Sequence, residues 1–141
     1  MRFVVPKSDA QQARAQLFRC RERLVHQRTE LVNALRSFVY EFGHTIPEGI
    51  GSLVCIEKII ESANCDLPAL VREECGYLLM QIAEQTKRIA AKTKQISILA
   101  AKSETSRRLQ TMLGIGPLSA LAVEAFAPPI ECFKRGRDFA A

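Results

Sequence analysis

Tryptophan is missing from this chain of 141 residues, and aromatic side chains make up only 6% of it. A core must therefore come from Leu, Ile, Val and Ala, a palette that favours helices packed through aliphatic side chains. Cysteine occurs five times, at Cys20, Cys55, Cys65, Cys75 and Cys132, but never as a C-x-x-C pair. The odd count and the apolar neighbours of several argue for small buried hydrophobes in a reducing compartment, which points to the cytoplasm. His26 and His44 are the only histidines, and no cysteine lies near either at zinc-ligand spacing. No apolar run approaches the roughly 18 residues of a transmembrane helix, and no charged stretch followed by an apolar one opens the chain. Neither secretion nor membrane insertion is expected.

What is present is unevenly spread. The net charge is +5, yet residues 1–43 hold eight Lys/Arg against four acids and residues 84–110 hold seven against two. Between them, residues 48–76 carry two basic and six acidic side chains. Two basic stretches around an acidic middle suit contact with a polyanion, although solvated helix faces give the same pattern.

From Ser8 to Phe42 no Gly or Pro interrupts the chain. Ser8, with Gln11 three residues on, forms a capping box. Apolar positions then fall at Ala13, Leu17, Cys20, Leu24, Leu31, Leu35, Phe38 and Phe42, in steps of three and four around polar Arg28. A long helix over about 8–43 follows. After a Gly/Pro-rich loop, Ser52 is the expected cap of a short helix over about 52–63 with Leu53, Ile56, Ile59 and Ile60 on its apolar face. Asp66 is the expected cap of a second long helix over about 66–102, with Pro68 inside its first turn. Its stripe is Val71, Cys75, Leu78, Ile82, Ile89, Ile96 and Leu99, broken by Gln85 and Lys92. The fold class is all-α: a long antiparallel coiled-coil-like hairpin of helices, followed by a short helix-hairpin-helix-like element. Polar seam residues such as Arg28 and Lys92 more often set register than carry chemistry.

After residue 102 the character changes. Ser103 caps a short helix bearing Arg107, Arg108 and Leu109, and Leu113-Gly114-Ile115-Gly116-Pro117 precedes a small-residue helix from Leu118 to Phe126. Two glycines permit a tight turn with positive φ and leave no side chain to keep a phosphate away. The next helix begins with unpaired N–H groups and a positive dipole end. The candidate DNA-binding residues are Arg107, Arg108, Gly114, Ile115, Gly116 and Leu118, joined by the basic Lys134, Arg135 and Arg137. A plain packing corner is the competing reading, since short glycine patterns are weak alone. A dinucleotide-binding loop is excluded because a basic helix, not a strand, precedes the glycines.

Catalytic and metal-binding constellations are absent from the pattern. Glu57 with Glu61, and Glu73 with Glu74, are helical neighbours without a convergent partner, and no Ser, Cys or Lys sits in a nucleophile motif. Metal-ion phosphoryl chemistry would need clustered carboxylates.

Three blocks carry a resemblance: RERLVHQRTELVNALRSFVYEFG (Arg21 to Gly43), RLQTMLGIGPLSALA (Arg108 to Ala122) and FKRGRDFAA (Phe133 to Ala141), with MRFVVPKS and Gln11-Gln12-Ala13 ahead of them. In this order they resemble the DEDD transposases of bacterial insertion sequences, the insertion-sequence one-hundred-and-ten family. The resemblance implies a ribonuclease-H-type domain with metal-binding acids, then a helical coiled-coil region, then a C-terminal domain bearing a reactive serine. It further implies that the chain starts after those acids and stops before that serine, so that no catalytic residue carries over. Residues 1–102 would be the coiled-coil region and 103–141 an incomplete start of the C-terminal DNA-binding domain. The family's divalent metal, expected to be magnesium, would have no ligands here. The implied partners are DNA, an element-encoded guide RNA and a further copy of the chain through the long helices. Leu113 departs from the family, which commonly has Pro there. The expected role is DNA binding and pairing within transposition; the rival is a self-sufficient helical protein–protein module whose positive charge is incidental.

Overall fold

A computed structural model describes residues 6–62, 66–128, 132–133 and 135–137. Residues 1–5, Cys65, Lys134 and residues 138–141 lie outside the described residues. All secondary structure described is helical: α1 (Asp9–Tyr40), a 3₁₀ turn (Ile50–Ser52), α2 (Leu53–Glu61), α3 (Ala69–Lys102), α4 (Glu104–Leu109) and α5 (Pro117–Phe126). Among the described residues no helix is long and apolar enough to cross a membrane.

Both ends of α1 are written locally. The Ser8 hydroxyl accepts from the Gln11 N–H at 3.3 Å, while Gln11 Oε1 accepts from the Ser8 N–H at 3.1 Å. This is the reciprocal capping box. At the far end Gly43 turns left-handed, φ +82°. Its N–H donates to the Tyr40 carbonyl at 2.9 Å, and the His44 N–H donates to Val39 at 3.2 Å. That pair of bonds is the Schellman stop, which needs a residue tolerant of positive φ.

The chain folds as two compact units, Glu22–Ala90 and Met1–Arg21 with Ala91–Ala141, and α1 and α3 contribute to both. In the first unit Val32, Leu35 and Val39 of α1, Leu53 and Ile56 of α2, and Leu67, Cys75 and Ile82 form one buried cluster. The stripe expected on α3 is there: Cys75, Ile82, Ile89 and Ile96 are all buried, each seven residues from the next. On α1 the frame differs. Phe38, and Phe42 just past the helix end, are exposed, and Val32 and Val39 take the buried places around Leu35. Cys75 is buried and Cys132 half-buried, but Cys20 and Cys55 are exposed, so burial is not the common property of the cysteines.

Two capping expectations are corrected. Ser52 is itself helical, with ψ −8°, and makes no side-chain cap bond. Its hydroxyl instead donates to the Gly49 carbonyl at 2.6 Å and accepts from Arg36 at 3.0 Å. Because the 3₁₀ turn has already begun the helix, there is no first turn left for Ser52 to cap. Likewise α3 begins at Ala69, with the Arg72 N–H donating to the Pro68 carbonyl at 3.0 Å. Pro68 therefore stands at the cap position rather than inside the helix, and Asp66 lies two residues upstream of it.

Arg36 ties down the loop after α1. Its Nη2 donates to the carbonyls of Pro47 (3.0 Å) and Gly49 (2.7 Å) as well as to Ser52. Two seam positions remain polar: Arg28 Nε and Gln85 Oε1 are buried without a hydrogen-bond partner.

In the second unit Ile96, Ala100 and Leu121 are buried, with Leu17, Phe18, Leu99 and Leu118 packed against them. Phe18 and Phe126 meet edge to face at 5.7 Å between ring centres, and Lys7 Nζ sits 5.2 Å from the Phe126 ring centre. Arg21 Nε donates to Thr93 Oγ1 at 2.9 Å.

Candidate functional site

The α4–α5 corner holds Arg107, Arg108, Gly114, Ile115, Gly116 and Leu118 of the candidate binding residues, and it is built from the cap upward. Ser103 adopts an extended conformation and its hydroxyl accepts from the Ser106 N–H at 3.3 Å, starting α4. Arg107 and Arg108 occupy the last turn of α4, exposed, where a cation is favoured by the helix dipole. The chain then descends through bonds from Thr111 to Arg108 (3.2 Å) and from Met112 to Leu109 (3.1 Å).

A β-turn follows. The Ile115 N–H donates to the Met112 carbonyl at 3.2 Å, and Gly114, third in the turn, has φ +86°. These are the features of a type II turn, which requires positive φ at its third residue and favours Pro at its second. The second residue here is Leu113.

Gly116 does not share this geometry. Its φ is −86° and ψ 176°, extended backbone that any residue adopts, and a Cβ there would meet nothing within 4 Å. Of the two glycines read as permitting a turn with positive φ, only Gly114 uses that freedom. Gly116 serves instead as the N-cap of α5, followed by Pro117 at the first helical position. Having no side chain, it gives the N–H groups of the first turn no side-chain cap.

Gln110 to Gly116 line a shallow open depression, which brings Gly114, Ile115 and Gly116 together. Arg107 and Arg108 are not among its lining residues. Leu118 is half-buried, packed against the cluster of Ile96 and Leu121, so its side chain is partly turned to the core. Arg135 and Arg137 are exposed.

Sequence reasoning missed the polar centre that holds the corner. The Glu124 carboxylate, on α5, accepts from the Ser103 hydroxyl at 2.7 Å and the Ser106 hydroxyl at 2.8 Å, and is ion-paired with Arg14 of α1. The Gln11 side-chain amide donates to the Glu124 carbonyl at 3.4 Å. Ser106 is fully buried. Burial alone would raise the pKa of Glu124; the two serine hydrogen bonds and the Arg14 charge together outweigh it and hold the carboxyl below its ordinary 4.5. One signal was available. Glu124 is the only charged residue in an otherwise apolar or small stretch from Leu118 to Ala127, and such an acid needs a partner.

Among the described residues no three His, Cys, Asp or Glu side chains gather in a way that could hold a metal ion.

No known family profile matches the chain, and no solved structure matches it. Curated relatives do, over the whole chain. It is 36% identical over 143 residues to a protein of Sinorhizobium fredii assigned as transposase y4pF/y4sB, of which it spans 36%. It is 31% identical over 147 residues to the transposase for insertion sequence element IS1328 of Yersinia enterocolitica, of which it spans 42%. The transposase for insertion sequence element IS1111A of Coxiella burnetii is 30% identical over 142 residues, with 39% of its length spanned. The chain thus spans about two fifths of the length of these relatives.

Proposed function

We propose that this chain is the helical arm and hairpin portion of an insertion-sequence transposase of the DEDD type, and that its α4–α5 corner grips the backbone of DNA. The observation that carries the reading is the end-to-end similarity to transposases at 30–36% identity. The corner supplies the means. Gly114 makes the turn, Gly116 leaves the first N–H groups of α5 without a side-chain cap, and Arg107 and Arg108 bring positive charge one turn away. Backbone N–H groups at a helix start and arginine side chains are both phosphate ligands. The long helices form the arm through which copies of the protein associate. An element-encoded guide RNA is a second polyanion that the basic stretches suit.

The test is a binding titration of the full chain on duplex DNA at several salt concentrations. Affinity should fall with salt and be largely indifferent to sequence, because phosphate contacts position without reading bases. Arg107→Ala and Arg108→Ala should each make the logarithmic salt slope shallower by about one unit. Gly114→Val, strained at φ +86°, should weaken binding by roughly tenfold if the turn presents one phosphate contact. Binding that is absent, or unaffected by all three changes, would remove the corner from the reading.

A second reading is favoured by one observation. Leu70, Tyr77 and Met80 are 68%, 55% and 66% exposed, and at their helical spacing they share a face of α3 turned away from Cys75 and Ile82. A protein–protein role, including self-association, would use that face. Tyr77→Asp should then dissociate the complex in sedimentation while leaving helicity unchanged.

A further inference from the structure

Resting on the DNA reading of the corner, we infer that Met112 and Leu113 form an apolar wedge that enters the minor groove and inserts between stacked bases. Leu113 is completely exposed at 104%, and Met112 beside it is 58% exposed. Among the described leucines only Leu70 is otherwise exposed; the rest are buried or half-buried. The turn explains the projection. With the Met112–Ile115 hydrogen bond closing the base and Gly114 reversing the chain at φ +86°, the second residue stands at the outermost point of the corner. A turn that merely joins two helices needs no large apolar group there, and Pro would preset it better.

The surroundings select the partner. The exposed Arg107 and Arg108 lie on the α4 side of the tip, and the uncapped start of α5 lies on the other. Groups suited to phosphates therefore flank an apolar point, which matches a groove: charged walls on both sides and base faces between. Apolar side chains used this way unstack a base step and kink the duplex. Unstacking requires a stiff support, and the corner has one. The Glu124 carboxylate on α5 holds Ser103 at the start of α4 and the buried Ser106 within it, so the two helices behind the tip cannot splay freely.

The experiment uses the full chain and two duplexes, one fully paired and one with a single mismatched pair, each carrying 2-aminopurine at the central step. A wedge predicts that the parent binds the mismatched duplex about tenfold more tightly, since that site is already partly unstacked. It also predicts that fluorescence of the base rises on binding. Leu113→Ser should lose both effects while keeping its circular dichroism spectrum and salt slope, and Leu113→Phe should keep both. Equal affinity for the two duplexes without a fluorescence rise overturns the wedge and leaves the backbone grip standing. A Leu113→Ser variant that sediments differently but binds both duplexes as the parent does makes the tip a protein contact and also overturns it. If the parent binds no duplex at any salt concentration, the DNA reading itself has failed and the wedge with it.

Discussion

The two units of the chain are held together by different kinds of interaction. In Glu22–Ala90 the buried side chains are almost all aliphatic, drawn from α1, α2 and α3. In the other unit a smaller aliphatic cluster around Ile96 and Leu121 is joined by a carboxylate, two hydroxyls and a guanidinium meeting at Glu124. Aliphatic burial is non-directional and roughly proportional to area, so neighbours can adjust when one member changes. Hydrogen bonds to a half-buried carboxylate are directional, and removing their common acceptor strands several donors at once. The first unit therefore tolerates small readjustments of its side chains. The second fixes the orientation of α4 and α5, which is the property a presented tip requires.

The largest expected effect lies in the aliphatic unit. Leu35→Ala, at a position with no exposed surface, should cost about 2–5 kcal/mol in chemical denaturation, from lost burial and the cavity left behind. Glu124→Ala should cost somewhat less, about 1–3 kcal/mol, because it leaves the buried Ser106 hydroxyl without its acceptor. Its signature should be local: faster hydrogen exchange in α4, the turn and α5. Uniform exchange changes across the whole chain would break the contrast between the units. The two units should also differ in acid. Glu124 has a folded-state pKa below its ordinary 4.5, so its contribution is fully present above about that pH and is lost as pH falls through the lowered value. Between them the parent should lose stability more steeply than Glu124→Gln, read as melting temperature against pH. A parallel pair of curves would mean that the carboxylate is not the hub described.

The smallest effects sharpen the corner itself. Gly114→Ala should cost about 1–2 kcal/mol, since an L-residue is forced left-handed there. Gly116→Ser should stabilise by only a few tenths, because the backbone already suits any residue and the hydroxyl restores a cap. Equal costs at both positions would show that Gly116, like Gly114, needs its glycine.

What could be read beforehand follows the same division. The α3 stripe was legible because each of its members is apolar and repeats along one helix. The capping box at Ser8 and Gln11 was legible because both partners lie within one turn. Frame was harder to read. Along and just past α1 the Leu31, Leu35, Phe38 and Phe42 pattern is as regular as Val32, Leu35 and Val39, and spacing alone does not choose between them. Glu124 was not found because its partners, Arg14, Ser103 and Ser106, come from α1, the α3–α4 junction and α4. Periodicity carries no trace of such a meeting. Gly114 and Gly116 look identical as letters, and only the Met112–Ile115 hydrogen bond tells the left-handed one from the cap.

The spacing of Cys75, Ile82, Ile89 and Ile96 limits how the length of α3 can change over evolutionary time. One residue inserted between Ile82 and Ile89 would rotate everything after it on the helix by about 100°, carrying Ile89 and Ile96 out of their buried places and polar neighbours in. Seven residues restore the phase almost completely, with a drift of only about 20° that gentle supercoiling absorbs. Lengthened or shortened relatives should therefore differ across this stretch in whole sevens, while the loop at Gly43–Ser52 is free to vary by single residues wherever Arg36 finds no carbonyl to hold.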